Sequence, residues 1–200
     1  MVLNVGAGQN RMNKQDRQNK VTASFVEANA ISFRFRGAEY HFSIISDVVT
    51  NEILGKPPTP TADRLRWHLA GFFWELVATF DCTLQVVAAA HELGLPRNKI
   101  KWDDAYRKAL SSKKVDNPLI DKIADVASSD WYQDALARRN TITHWDATFV
   151  QGLVVGGKVV TVRMLNQGDL VPACENYLAQ MWELVELAKA TLPAGHIQFT

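Results

Sequence analysis

The strongest pattern in this 200-residue chain is a run of apolar residues at helical spacing that begins after Thr61. The proline-rich segment Lys56–Pro60 before it cannot continue a helix, and Gly94 and Pro96 end the run. The apolar positions are Leu65, Leu69, Phe72, Phe73, Leu76, Val77, Phe80, Leu84 and Val87. A helix of roughly 33 residues would be about 50 Å long, which predicts the central helix of a bundle.

A second face of this predicted helix carries small and polar side chains. Its members alternate spacings of three and four residues and are Arg64, His68, Gly71, Glu75, Ala78, Cys82 and Gln85. Because small side chains let helix axes approach closely, this face predicts a close helix partner, either within the bundle or across a dimer interface.

The rest of the chain predicts further helices and one hairpin. Helices are predicted as short segments over 103–128, over Asp130–His144 behind a Ser128 or Ser129 cap, and over Asp169–Leu192. Two β-branched runs around Gly156-Gly157 predict a β-hairpin near 147–164. The predicted fold is mainly α, an up-and-down bundle over 61–192 with an inserted hairpin and a tail at 193–200.

The N-terminal part predicts a mixed extension. Residues 1–20 are polar and basic, which is typical of a flexible arm. Residues 21–60 form the extension, where the alternation from Ile31 to Arg36 favours a strand. Tyr40 to Leu54 is compatible with a strand or a short helix, and Lys56–Pro60 marks the expected boundary with the bundle.

Composition limits the classes of function. A net charge of +1 gives no global attraction to nucleic acid, so binding of that kind needs a local patch. Cys82 and Cys174 suggest free thiols in a reducing compartment. We expect a cytoplasmic protein because the sequence shows neither a secretory signal nor a membrane-spanning run. No metal-ligand spacing is present, and we expect no metal and no cofactor.

The helix predicted over Asp130–His144 carries the clearest chemical pattern. Asn140 and His144 are four residues apart and share a face, and the long side chain of Arg139 can swing towards them. A simple alternative is that Arg139 and His144 are cations that favour the C-terminal end of a helix dipole.

The segment Arg139-Asn140-Thr-Ile-Thr-His144 resembles the Arg–polar–three residues–His signature of the HEPN superfamily. Arg138 is an alternative motif arginine, because the family also tolerates that spacing. The resemblance implies a helical bundle that dimerises so that two motifs face each other. Many members are metal-independent ribonucleases, including toxins of toxin–antitoxin systems, and others only bind RNA, nucleotide or protein.

The resemblance implies an endoribonuclease acting on single-stranded or loop RNA. Arg139, Asn140 and His144 would be catalytic, with His144 as the base and Arg139 contacting the phosphorane. Glu75 is a supporting candidate that could pair with Arg139. The expected partners are RNA, a second copy of the chain, and an antitoxin or other protein. A catalytically inactive binding module and a purely structural bundle stay open as alternatives.

Overall fold

A computed structural model describes the backbone of residues 14–58, 62–115, 117–143 and 150–192, and the side chains of 30–58, 63–115, 117–142 and 150–192. Its α-helices in those ranges are α1 (Lys14–Asp47), α2 (Ala62–Ala90), α3 (Asp104–Ser112), α4 (Pro118–Ser128), α5 (Asp130–Thr143) and α6 (Leu170–Thr191). Its antiparallel sheet has the order β1 (Val150–Val155), β2 (Lys158–Met164) and β3 (Gly168–Asp169). The described chain is therefore mainly helical with one small sheet, as predicted.

The long helix α2 lies at the centre of the core. It packs against α1, α5 and α6, and α4 closes against α5 and α6. Aromatic rings connect these layers through the pairs Phe73–Tyr177, Phe80–Tyr132 and Phe35–Trp182, whose centroids are 6.1, 4.5 and 5.1 Å apart. The predicted central helix is confirmed.

The apolar surface of α2 is used mainly inside the bundle. Among the described residues, Asp63–Ala90 is the one segment long and apolar enough to cross a membrane, with a mean hydropathy of 1.3 over its best window. However, 61% of that window is buried within the protein. A core helix of a soluble protein has this character, because the bundle itself covers its apolar side.

Helices α1 and α2 run antiparallel and meet along a polar seam. Arg34 donates to both carboxylate oxygens of Glu75 at 3.1 Å, and seven residues further along α1, His41 meets His68. The small-residue face of α2 therefore packs against a helix of the same chain. Of the two partners that the sequence allows, a helix of the bundle or a helix across a dimer, the first is observed.

Two glycines allow this close approach. A Cβ atom on Gly71 would lie 2.3 Å from the His41 ring, and one on Gly37 would lie 2.9 Å from Cγ of Glu75. Each helix thus uses a missing side chain to accommodate a polar side chain of the other. Glycine in a helix interior costs about 1 kcal/mol relative to alanine, so the seam contacts must offset that cost.

The strand predicted over Ile31–Arg36 is wrong, because these residues belong to α1. A strand would have placed Phe33 on the same face as Ile31 and Phe35. Instead Ile31 and Phe35 are buried while Phe33 is 69% exposed. Burial against α2 and α6 selects the helical period. For Tyr40 to Leu54 the helical alternative is the one observed, as α1 up to Asp47 and then as a π-helix over Val48–Ile53.

The other predicted elements are present where they can be compared. Gly156 and Gly157 both have positive φ, as the predicted two-residue hairpin turn requires, and they connect β1 to β2. Val159 of β2 also exchanges backbone hydrogen bonds with Gly55 and Lys56, which attaches the hairpin to the loop after α1. The predicted tail 193–200, the first part of the arm and His144 lie outside the described residues.

We expect Gly71→Ala to destabilise the protein by roughly 1–3 kcal/mol, because its Cβ would overlap the His41 ring. Urea unfolding of the single variants and of the double variant Gly71→Ala/His41→Ala measures this. In the His41→Ala background the ring is gone. There Gly71→Ala should leave the free energy of unfolding unchanged or raise it by up to about 1 kcal/mol, because alanine has the higher helix propensity. Stabilisation by Gly71→Ala alone would contradict the observed packing.

Candidate functional site

The candidate site lies towards the C-terminal end of α5. Ser129 precedes this helix, and its hydroxyl oxygen accepts a hydrogen bond from the amide of Tyr132 at 3.4 Å. The structure describes Arg138, Arg139 and Asn140 on α5, whereas His144 lies just beyond Thr143, the last described residue of the helix. Three of the four candidate residues of this helix therefore belong to the described structure.

Arg138 is a buried structural residue. It is 6% exposed, donates to the two carboxylate oxygens of Asp134 at 2.5 and 2.9 Å, and donates to the carbonyl of Leu165 at 2.7 Å. Tyr177 of α6 donates to Oδ2 of the same carboxylate. This bidentate pair connects α5 to α6 and to the end of the hairpin, which occupies the guanidinium with structural contacts.

Arg139 points to a different environment. Its side chain is 23% exposed and lies 3.7 Å from Asp81 of α2. Its Nε and a terminal nitrogen donate to Oδ1 of Asn140 at 3.3 and 3.2 Å. The guanidinium carbon is 5.7 Å from the ring centre of Trp74, which is the distance of a cation–π contact. Arg139 therefore lies at a partly open surface, among a carboxylate, an amide and an indole.

Asp81 is the acidic residue of α2 that faces Arg139. Burial raises the pKa of its carboxyl group, and the positive charge of Arg139 lowers the pKa again in part. The separation of 3.7 Å exceeds that of a direct charge-assisted hydrogen bond. This geometry is compatible with an Arg139 guanidinium that changes partner when an anion approaches.

The predicted pairing of Glu75 with Arg139 is wrong. Glu75 lies on the α1 side of α2, where both of its carboxylate oxygens accept from Arg34. The residue of α2 that reaches Arg139 is Asp81, six positions later. Six residues correspond to a rotation of about 240° on a helix, which explains why the two carboxylates face different neighbours.

A second polar cluster lies in the α1–α2 seam. The Nδ1 atoms of His41 and His68 are 3.0 Å apart, so one ring donates and the other accepts. Burial lowers the pKa of His41, and the charge of His68 lowers it further while Glu75 raises it. Burial also lowers the pKa of His68, with a smaller contribution from Arg64. Both imidazoles therefore favour the neutral form in the folded protein.

Two residues near Arg139, Trp74 and Asp81, were not singled out from the sequence. A signal for both was present, because Trp74 falls outside the apolar stripe of the α2 sequence and Asp81 interrupts the apolar run after Phe80. The pattern could not show which helix would lie opposite them. Within the described residues, no group of three or more His, Cys, Asp or Glu side chains is placed to hold a metal ion.

Comparison with protein-family models, with curated proteins and with solved structures gives no match to this chain.

The two neighbouring arginines should differ sharply in their effect on stability. Arg138→Met should cost roughly 3–5 kcal/mol, because it leaves the Asp134 carboxylate without its buried cation. The matched variant Arg139→Met should change the free energy of unfolding by no more than about 1 kcal/mol, as for a partly exposed ion pair. Guanidinium chloride unfolding compares them, and an equal loss in both variants would contradict the division of roles.

The His41–His68 pair should make stability depend on pH. Because both pKa values are lowered from 6.5 in the folded protein, the unfolded chain binds protons more readily. The stability that this pair contributes should be fully present above pH 6.5 and should decrease as the pH falls below that value. Thermal unfolding across this range should show a shallower decrease for His68→Gln than for wild type.

A matched control is His91→Gln. Burial alone lowers the pKa of His91, and no second imidazole contributes to that shift. We expect this control to change the pH dependence less than His68→Gln does. A protein that becomes more stable on acidification, or an unchanged slope in His68→Gln, would show that the seam does not titrate in this way.

Proposed function

We propose that this chain is a HEPN-type, metal-independent endoribonuclease that works as a homodimer in the cytoplasm on single-stranded or loop RNA. The observation that supports it most is that the two neighbouring arginines of α5 make different kinds of contact. Arg138 is occupied by structural contacts, while Arg139 lies beside Asn140 at a partly exposed surface. Arg139 is therefore the proposed motif arginine. With Arg139 in that position, Asn140 occupies the polar position of the motif and His144 the histidine position.

The proposed reaction is an internal transphosphorylation. His144 removes the proton of a 2′-hydroxyl, and the 2′-oxygen attacks the adjacent phosphorus. The bond from phosphorus to the 5′-oxygen breaks, and a protonated imidazole, for example that of the second protomer, supplies the proton to this leaving group. The products are a 2′,3′-cyclic phosphate and a 5′-hydroxyl.

Arg139 and Asn140 would assist this reaction through charge and orientation. The guanidinium can contact two phosphorane oxygens as their negative charge develops. Asn140 accepts from Arg139 through Oδ1, which restricts both side chains, and its amide nitrogen can donate to phosphate or to His144. When a phosphate binds, Arg139 would exchange the 3.7 Å contact with Asp81 for the anion.

The second candidate function is a catalytically silent HEPN module that binds RNA, nucleotide or a protein partner such as an antitoxin. The contact between Arg139 and Asp81 favours it, because an acidic neighbour competes with phosphate for the guanidinium. The indole of Trp74 beside Arg139 would still allow a base to bind without cleavage.

The deciding experiment is cleavage of a mixed-sequence RNA in EDTA by wild type, His144→Ala and Arg139→Met. We expect the wild type to leave 2′,3′-cyclic phosphate ends, and each variant to be slower by about 100-fold or more. Arg107→Met is the matched control, because Arg107 is an exposed arginine of α3 and should retain wild-type activity.

A substrate with a 2′-deoxy residue at the cleavage position should resist the enzyme at that position only. Light scattering of the same samples reports whether the protein is a dimer. If a wild-type dimer does not cleave, or if His144→Ala cleaves at the wild-type rate, the ribonuclease proposal fails and the binding module takes its place.

A further inference from the structure

The exposed aromatic and the exposed aliphatic side chains of this protein lie on different secondary-structure elements. Ten large hydrophobic side chains are exposed among those described, and the five aliphatic ones all lie on β1, on β2 or directly after β2. Four of the five aromatic ones lie on α1 and α2, namely Phe33, Tyr40, Trp67 and Trp74. The aromatic rings offer π-faces on which nucleobases can stack, whereas the aliphatic side chains do not.

The four aromatic residues share one side of the α1–α2 seam. Phe33 and Tyr40 are seven residues apart, as are Trp67 and Trp74, so each pair lies within about 20° on its helix. On α1 the seam is formed by Arg34 and His41. The buried positions of both helices lie on one side of the seam and the exposed aromatic residues on the other.

The seam contacts place these residues at two levels. The Arg34–Glu75 pair brings Phe33 to the level of Trp74, and the His41–His68 pair brings Tyr40 to the level of Trp67. The Tyr40 ring lies 6.2 Å from the His68 ring. Seven residues of helix separate the levels by about 10.5 Å, which matches roughly three steps of 3.4 Å between four stacked nucleotides.

The size of this aromatic face is considerable. The exposed fractions are 69% for Phe33, 60% for Tyr40, 69% for Trp67 and 49% for Trp74. With about 150–250 Å² for each side chain, the rings expose about 500 Å². The largest apolar patch on a typical monomer covers about 300–600 Å² and is often functional, so these four rings alone approach the upper end.

The aromatic face continues directly into the candidate site. Trp74 belongs to the face, and the same indole makes the cation–π contact with Arg139 of α5. Across the surface the order is therefore α1 rings, α2 rings, then the guanidinium proposed to hold the scissile phosphate. A base stacked near Trp74 would place its own backbone close to Arg139.

We propose that Phe33, Tyr40, Trp67 and Trp74 form a stacking track for unpaired RNA that leads to Arg139. The track rests on the proposed ribonuclease function and adds a substrate requirement to it. The bases of at least four consecutive unpaired nucleotides stack on the rings, while a duplex keeps its bases paired and cannot use them. Every base can stack because each has a π-face. The track therefore prefers single-stranded RNA over duplex but does not prefer one sequence over another.

The charges on this face predict how the binding depends on salt. Arg34 is paired with Glu75, Arg139 lies beside Asp81, and the whole chain carries a net charge of only +1. The described arginines of this face would then neutralise one or two phosphates. Because the slope of log K against log salt is about −0.7 per phosphate for single strands, it should lie near −0.7 to −1.4.

The test is binding of a 2′-O-methyl uridine 12-mer, which cannot be cleaved, measured by fluorescence anisotropy with a matching 12-base-pair RNA duplex as competitor. We expect Trp74→Leu and Trp67→Leu each to weaken binding by about 5- to 150-fold. Trp74→Phe retains a ring and should recover much of the affinity. Circular dichroism confirms that each variant is folded, and Val154→Ser is the control for loss of an exposed apolar group outside the track.

The binding measurements test the stacking track independently of the cleavage reaction. Weaker binding by the leucine variants, recovery by Trp74→Phe and poor competition by duplex support the track, even if the wild type cleaves nothing. Unchanged binding by Trp74→Leu, or a wild type that binds no single strand, overturns the track while leaving the cleavage assay to decide the reaction. A shift from dimer to monomer in Trp67→Leu/Trp74→Leu with RNA binding retained also overturns it, because the face would then be a protein interface.

Discussion

The close approach of α1 and α2 is the constraint on which the rest of the described structure depends. It requires glycine at two opposing helix-interior positions, where Gly71 accommodates His41 and Gly37 accommodates Glu75. Glycine weakens an isolated helix, so the polar contacts across the seam and the burial of α2 must together compensate. Once this seam is formed, one side of α2 is directed to the core. The opposite side, with Trp74, stays at the surface near α5.

The two adjacent arginines of α5 make different contacts, one structural and one proposed for chemistry. Neighbouring positions differ by about 100° around a helix, so Arg138 turns inward to Asp134 while Arg139 turns towards α2. The buried pair restrains α5 against α6, and this restraint limits where Arg139 can lie. A functional guanidinium needs such support, because its contribution to charge stabilisation depends on being held in place before the substrate arrives.

Much of the fold could be predicted from the sequence because its signals are local. The helical spacing of α2, the Gly156-Gly157 turn and the serine before α5 each act over a few residues. The strand predicted over Ile31–Arg36 failed because six alternating residues fit either period, and burial against distant helices decided between them. For the same reason the partner of Glu75 was missed. Both predictions depended on which helix lies opposite, which local patterns do not contain.

The aromatic face and the seam are physically connected, which bears on how the proposed site would respond to its surroundings. His41 and His68 lie in the seam at the level of Tyr40 and Trp67, and Tyr40 contacts both imidazoles. Protonating this pair would place two positive charges in contact and loosen the seam that positions Tyr40 and Trp67. The same charges would attract a phosphate backbone lying across the rings. Acidification would therefore weaken the fold while adding an electrostatic contribution to the proposed RNA binding, and the two effects act on the same few side chains.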